Sequence, residues 1–327
     1  MEKINQLTTI GTDITKAISI LNNGGLVALP TETVYGLAAN ALDINAVTKI
    51  FEAKNRPTFD PLIIHLADVA QLGLYTYDIH PLLYDIAKKY CPGPITFLVK
   101  KTHIIPDLVT SGSEYVAVRF PAHPITKSIL EQIDFPLAAP SANPFGYISP
   151  TTALHVAAQL NSKVDYIVDG GPCKVGIEST IISFEEDRIN VLRKGGFDAE
   201  LIKEFTNLPI QYFETSTSNP SAPGMLLSHY APRVPLYLVD DIEQFAHIHK
   251  LQNYGVLCFG QNKRQFAKST LVFDLSPQQD LAEAAKNLFN YMRQLDNSAI
   301  DIIVAERVDA KGLGLGINDR LTRAAVK

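Results

Sequence analysis

A two-part α/β protein is the fold this sequence predicts, on three observations. Short apolar runs alternate with stretches of helical period. Proline, glycine and hydroxyl residues cluster where the apolar runs stop. The pattern lapses once, between about residues 209 and 233. The expected division is therefore 1–208, a connection over 209–233, and a smaller α/β unit over 234–327. At 327 residues the chain is long enough for two cores, with one large α/β domain as the alternative.

Taken in order, "DITKAISILNNGG" has helical spacing and a glycine stop, and "LVALP" is a short buried strand ended by Pro30. "DINAVTKIFEAKNRP" is a helix capped by Asp43 and halted before Pro57, which leaves Lys54 and Arg56 at its C-terminal end. "PLIIHLA", "PITFLVKK" and "YVAVRFP" predict strands, and "HPLLYDIAKKY" and "HPITKSILEQI" predict helices. "PLAAPSANPFGYISP" is a strand that breaks into a polar loop, followed by a helix in "TTALHVAAQL" and strands in "YIVDGG", "STIISFEE" and "RINVLRKG".

After the connection, "VPLYLVD", "YGVLCFG", "STLVFDL" and "AIDIIVAERV" predict strands around a long helix from Ser276 to Gln294, the arrangement of a parallel sheet. The tail "KGLGLGINDRLTRAA" lacks the GxGxxG spacing and lies far from a first βα turn. It is read as a glycine-rich loop before a terminal helix.

A hydrophobic fraction of 46%, a charged fraction of 19% and a net charge of −5 describe an ordinary globular chain and argue against a general nucleic-acid coat. No apolar stretch approaches the roughly 20 residues that span a bilayer, and the first residues lack the basic and apolar regions of a signal peptide. The expectation is a cytoplasmic protein without a membrane partner. Cys91, Cys173 and Cys258 are too widely spaced for a zinc site or a disulfide framework. There is no P-loop, no GxSxG elbow and no HExxH.

What stands out is a set of cations in loops beside apolar segments: Lys54 and Arg56, Arg119, then Arg193 and Lys194. In an acidic chain, such groups can converge on phosphate or carboxylate through charge-assisted hydrogen bonds. Beside them Thr31, Thr33, Ser141, Asn143, Ser149, Ser179 and Thr180 place short donors and acceptors at strand ends, where open α/β sheets bind ligands. Singly, each of these is as readily a turn or cap residue. His65 interrupts an apolar strand, and His229 and Tyr230 form an aromatic pair within the connection.

"PTETVYGLAANA", "KNRPTFDPLIIH", "VAVRFPAHP", "PLAAPSANPFGYISPT", "DGGPCKVGIESTIIS", "VLRKGG" and "PGMLLSHYAP" occur in one order. In that order the chain resembles the two-domain threonylcarbamoyl-AMP synthases, densely from about Leu21 to Pro232 and more loosely beyond. The resemblance implies a YrdC-like twisted, open mixed sheet with flanking helices, plus a smaller Rossmann-like α/β domain. It implies a nucleotidyltransferase that condenses L-threonine, bicarbonate or CO2, and ATP into L-threonylcarbamoyl-AMP and pyrophosphate, for N6-threonylcarbamoyladenosine in tRNA.

Carried over by position, Thr33, His65, Arg119, Ala139 and Ser179 should surround threonine, with Arg119 facing its carboxylate. Lys54, Arg56, Asp60, Tyr115, Ser141, Asn143, Ser149 and Arg193 should line the ATP site, with His229 and Tyr230 closing over it as part of a lid. Mg2+ is expected on the ATP phosphates, with no protein ligand assigned and no acid or base catalyst. The tRNA threonylcarbamoyl transferase machinery is an implied partner, together with a weak RNA contact. Asp60 stands where many relatives carry Asn and so requires a neighbouring cation, a base or Mg2+; Leu226 to Ser228 depart from the basic or aromatic residues common there. The rival readings are a double-stranded RNA-binding module, and a carbamoyl-adenylate enzyme with another acceptor.

Overall fold

The structure, a computed structural model, describes residues 7–213, 229–260, 266 and 271–326. Leu226 to Ser228 lie outside the described residues. The first sheet takes its strands from β1 (Thr9–Gly11), β2 (Val27–Leu29), β3 (Gly36–Asn40), β4 (Ile63–His65), β5 (Thr76–Tyr77) and β6 (Ile95–Lys101). It continues through β7 (Tyr115–Arg119), β8 (Leu137–Ala138), β9 (Tyr166–Val168), β10 (Thr180–Phe184), β11 (Ile189–Arg193) and β12 (Ile210–Tyr212). Their spatial order is β1-β9-β2-β3-β8-β4-β7-β6-β10-β11-β12, with β5 paired to β6. It contains both parallel and antiparallel pairs, so the sheet is mixed, as expected.

Helices α1 (Ile14–Asn22), α2 (Ile44–Lys54), α3 (Leu72–Tyr75), α4 (Pro81–Tyr90), α5 (Asp107–Thr110), α6 (Pro124–Leu130), α7 (Ala153–Leu160) and α8 (Glu200–Thr206) belong to this unit. Local chemistry sets the two ends of α2. The Asp43 carboxylate accepts the Asn45 and Ala46 N–H groups, and Asn55, at φ 51°, turns the chain left-handed before Pro57. That turn delivers Lys54 to the loop after β8 and Arg56 to the loop before β4.

The second unit is a parallel sheet ordered β13-β16-β14-β15, built from β13 (Leu236–Val239), β14 (Tyr254–Cys258), β15 (Leu271–Asp274) and β16 (Ile302–Glu306). Helices α9 (Ile242–Ile248), α10 (Leu281–Asp296) and α11 (Leu313–Ala324) accompany it. Among the described residues, no helix is long and apolar enough to cross a membrane.

Two expectations change. Residues 210–212, assigned by composition to the connection, pair as β12 with β11 and extend the first sheet. The glycines of "KGLGLG" form no loop: Gly312 precedes α11, and Gly314 and Gly316 lie within its first turns. Their lack of a side chain is used for close packing, since a Cβ on Gly316 would fall 2.9 Å from the Gly195 carbonyl oxygen.

The seam between the units is apolar and tight. Val34, Ile148 and Ile177 of the first join Tyr230, Phe289, Ile317 and other residues of the second in one buried cluster. Gly176 lies so close to α10 that a Cβ there would come within 2.4 Å of the Ala285 oxygen and the Lys286 Cα.

Candidate active site

The cleft forms where the carboxyl ends of β2, β4, β7 and β11 meet the amino ends of β6 and β10. It has a volume of about 550 Å3, part of it open to solvent, and is lined by Thr31, His65, Arg119, Ser141, Arg56, Glu178, Arg193, His229 and Tyr230, with apolar neighbours.

The chain leaves β2 through Pro30 into a turn ordered by hydroxyls. Thr31 Oγ1 accepts the Thr33 and Val34 N–H groups at 3.1 and 3.2 Å and donates to the Val34 carbonyl at 2.6 Å. With its proton committed there, Thr31 accepts from the Thr33 hydroxyl at 2.8 Å. Thr33 in turn accepts from Arg119 Nη2 at 2.7 Å. The run of hydroxyls after the strand is thus a relay that fixes Thr33 against an arginine 86 residues away.

Arg119 is held from the other side by Glu32. Its Nη2 donates to Glu32 Oε1 at 2.6 Å, and Glu32 Oε2 accepts the Ala122 N–H at 2.9 Å. The fork expected to grip a substrate carboxylate is therefore partly committed inside the protein, and Nε is a buried donor with no hydrogen-bond partner. His65 lies in the paired register position on β4, and its Nδ1 is also buried and unpartnered. Burial, then the neighbouring Arg119 charge, pushes the His65 pKa down to about 3, so the ring is neutral at pH 7.

On the opposite wall Arg193 donates from Nε and Nη2 to the Ser179 carbonyl at 3.0 and 2.9 Å, and from Nη2 to the Ser179 hydroxyl at 3.0 Å. That hydroxyl also bonds Thr96 at 2.7 Å. Burial pulls the Arg193 pKa down to about 10, which still leaves it charged at neutral pH. Lys54, fully buried, donates to the Ser141 carbonyl at 2.6 Å and to the Asn143 carbonyl. Burial, followed by repulsion from Arg56, drives its pKa well below the usual lysine range.

A family model described as "Telomere recombination" matches residues 19–195, and one described as "Threonylcarbamoyl-AMP synthase, C-terminal domain" matches residues 197–326. The chain is 40% identical to the threonylcarbamoyl-AMP synthase of Pyrococcus abyssi over 94% of its own length and 93% of that protein's. It belongs to the threonylcarbamoyl-AMP synthase family. The Bacillus subtilis threonylcarbamoyl-AMP synthase is 37% identical over 98% of this chain and 95% of its own. The crystal structure of P. abyssi Sua5 complexed with L-threonine superposes with a TM-score of 0.89 at 38% identity, covering 97% of this chain and 98% of that one. A second P. abyssi Sua5 structure, of a variant with an adjacent His and Tyr both replaced by Ala, gives a TM-score of 0.88 at 37% identity. It covers 97% of this chain and 96% of that one.

Within this family member, Thr33, His65, Arg119 and Ala139 gather at one end of the cleft, and Ser179 stands behind its wall, tied to Arg193. Arg56, Ser141, Arg193, His229 and Tyr230 line the rest. Lys54, Asp60, Asn143 and Ser149 are second to these: Lys54 and Asn143 hold the 141–147 loop, and the Ser149 hydroxyl donates to Glu178. Asp60 has the cation it required, an ion pair with Arg56 at 2.9 Å, while Arg56 Nε donates to its carbonyl at 3.1 Å.

Tyr115 is not brought into the cleft. It shares the face of β7 with Arg119 but begins the strand, 43% exposed, against a separate surface groove with Lys100 and Phe184. Four residues of extended chain separate the two by about 13 Å.

Sequence reasoning missed Glu32 as the partner of Arg119, assigning it only to the shape of the turn. It also missed Glu178, which joins Ser149 to Arg320 at 2.9 Å, and Arg320 and Arg323 of α11. Only the alternation of charge and hydroxyl in "PTET" and "IEST" hinted at the two glutamates.

Proposed function

We propose that this cleft condenses L-threonine, bicarbonate or CO2, and ATP into L-threonylcarbamoyl-AMP and pyrophosphate, the donor for N6-threonylcarbamoyladenosine in tRNA. The observation that carries the reading is the pairing, in one cleft, of a hydroxyl-lined end fixed by Glu32, Arg119 and Thr33 with a cationic end of Arg56 and Arg193.

At the first end, the unpartnered Arg119 Nε–H and His65 Nδ1, with Thr33 Oγ1 beside them, suit an amino acid that carries its own hydroxyl group. The threonine amine, as the free base, attacks CO2; a C–N bond forms and one proton leaves. Starting from bicarbonate, the same step releases water. A carbamate oxygen then attacks the α-phosphorus in line, the Pα–O bond to the β-phosphate breaks, and pyrophosphate departs with the electron pair.

Such a reaction needs positioning and charge neutralisation more than a dedicated acid or base. The reach from Arg119 to Tyr115 along β7 gives an extended nucleotide a path across the sheet face. The buried His229 and Tyr230 keep water from the mixed anhydride.

Mg2+ is part of this reading. Asp60 and Glu178 are each paired with an arginine, and among the described residues no three His, Cys, Asp or Glu side chains converge as a metal site. The ion would be carried on the phosphate oxygens and offset their charge. The product is an activated acyl donor, so a transferase acting on tRNA must consume it; a cytoplasmic location follows from that role.

The test is mass-spectrometric detection of threonylcarbamoyl-AMP after incubation with ATP, Mg2+, bicarbonate and threonine, with valine and serine as controls. Product with threonine supports the reading. ATP bound without product, or product only with another amine, overturns it.

A further inference from the structure

Helix α10 turns three residues of one face toward the nucleotide end of the cleft. Phe289, Arg293 and Asp296 recur at i, i+4 and i+7, the spacing that lines side chains along one stripe of a helix. Phe289 stacks on Tyr230, with ring centroids 5.5 Å apart. Arg293 is buried. Its Nη2 donates to the Ile148 carbonyl and, at 3.1 Å, to Gln159 Oε1, its Nε reaches the Ser149 carbonyl at 3.4 Å, and its guanidinium lies 5.3 Å from the Tyr147 ring. Asp296 closes the helix, at the end where the macrodipole disfavours a carboxylate. Four hydrogen bonds offset that cost: one oxygen accepts the Arg233 and Val234 N–H groups at 2.6 and 2.9 Å, and the other accepts the Tyr147 hydroxyl, and Arg233 Nε at 3.0 Å.

These partners belong to the two segments that meet at that end. Residues 141–149 run between β8 and α7 without helix or strand, so their carbonyls depend on donors from outside the loop. Lys54 supplies them at Ser141 and Asn143, and Arg293 supplies them at Ile148 and Ser149. Ser141, at the head of the loop, lines the cleft. The Ser149 hydroxyl, at its foot, donates to Glu178, which lines it too. Arg233 and Val234 come just after His229 and Tyr230, and between them the Ala231 N–H donates to the Gly146 carbonyl at 2.9 Å. One carboxylate, that of Asp296, thus ties the loop to the segment that carries the aromatic pair.

We infer that Arg293 and Asp296 of α10 are positioning residues for the nucleotide. Through the Ile148 and Ser149 carbonyls and the Tyr147 hydroxyl, the second unit fixes the far end of the 141–149 loop, as Lys54 fixes its near end, and holds the loop against His229 and Tyr230. The inference rests on the nucleotide reading of the cleft and deepens it: the groups that meet ATP keep their spacing only while α10 is docked on them. The threonine end is set by Glu32, Thr33 and Arg119 within the first unit and does not depend on this stripe.

The test is calorimetric titration of the full chain with ATP and Mg2+ and, separately, with threonine, alongside thermal melting. Arg293→Gln is expected to weaken ATP roughly tenfold or more while threonine stays within about twofold. Arg293→Lys, which can still donate to one of the carbonyls, should recover part of that loss. Tyr147→Phe removes only the hydroxyl link between the loop and Asp296. It is expected to weaken ATP severalfold with threonine unchanged, and it decides the question should Arg293→Gln not fold. A merely structural arginine would lower the melting temperature and both affinities together, with no recovery in Arg293→Lys. That pattern, or an ATP affinity unchanged in Arg293→Gln and Tyr147→Phe, overturns the inference. If the unsubstituted chain itself takes up no ATP, the nucleotide reading fails and the inference with it. Both affinities are read without turnover, so these outcomes stand apart from whether threonylcarbamoyl-AMP is made.

Discussion

The two ends of the cleft solve the problem of buried charge differently. At the Arg119 end the account closes within the first unit: Glu32 faces Arg119, Thr33 is fixed from both sides, and the neighbouring His65 is neutral. At the Tyr230 end the charges are shared across the seam: Arg320 of the second unit pairs with Glu178 of the first and with Asp319, and an aromatic pair packs beside them. A small zwitterion needs a socket that is fully shaped beforehand. The other end is divided between two units, so its shape depends on how closely they dock.

This contrast is sharpest at Arg119. Arg119→Ala removes the cation from one end only and leaves Glu32 buried without its partner. It is expected to cost about 2–5 kcal/mol in kcat/KM for threonine, with ATP affinity by titration unchanged; equal losses for both substrates would dissolve the distinction between the ends.

The seam offers the reverse experiment. Gly176 has φ +86°, and an added Cβ would sit 2.4 Å from α10 backbone atoms. Gly176→Ala should loosen docking of the second unit at a cost of about 1–3 kcal/mol. It should weaken ATP binding while threonine binding persists; thermal melting and paired titrations would show both.

Glu32→Gln keeps the shape at the first end and removes its charge, so the threonine KM should rise by an amount equivalent to about 1–2 kcal/mol. A smaller rise than in Arg119→Ala is expected, because the one amide oxygen of Gln can still accept from Arg119 or from the Ala122 N–H, and the arginine itself stays in place.

Acid affects both ends. Burial lowers the pKa of His65 to about 3 and of His155 to about 4, and drives that of His229 well below its ordinary value. The unfolded chain takes up these protons near pH 6.5 and the folded chain does not. Stability is therefore fully present above pH 6.5 and falls as pH is lowered toward the folded values, by about 1.4 kcal/mol per pH unit for each histidine. Urea denaturation at pH 7.5, 6 and 5 would measure this slope, and His229→Asn should reduce it.

The sheet and most helices were legible because period and punctuation agree: Asp43 and Asn55 bound α2 by local chemistry that a sequence displays. β12 was not legible, because its three residues sit in polar surroundings and are strand only through pairing with β11. The glycines of α11 looked like a loop because their reason for being there, contact with Gly195, lies more than a hundred residues away.

The site follows the same rule. Thr33, His65 and Arg119 stood out as polar groups at strand ends or within an apolar strand, whereas Glu32 as a clamp and Arg320 as a neighbour of Glu178 depend on contacts spanning 87 and 142 residues. Tyr115 stands apart from the cleft's lining because β7 carries it to the opposite end of the strand from Arg119, a separation that motif order does not display.

The strand order has a kinetic consequence. Central neighbours come from distant parts of the chain, β9 beside both β1 and β2, and β8 between β3 and β4. The Glu32–Arg119 pair and the Ser179–Arg193 wall occur together only in a stretch that runs from β2 through β11. Loop closure over such separations must precede the contacts that reward it, so assembly of this unit is slow compared with that of a helical bundle. Half-formed chains therefore hold no half-formed cleft, and a fragment ending before β11 would bind neither substrate; a truncation series probed with labelled threonine would show binding appear in one step.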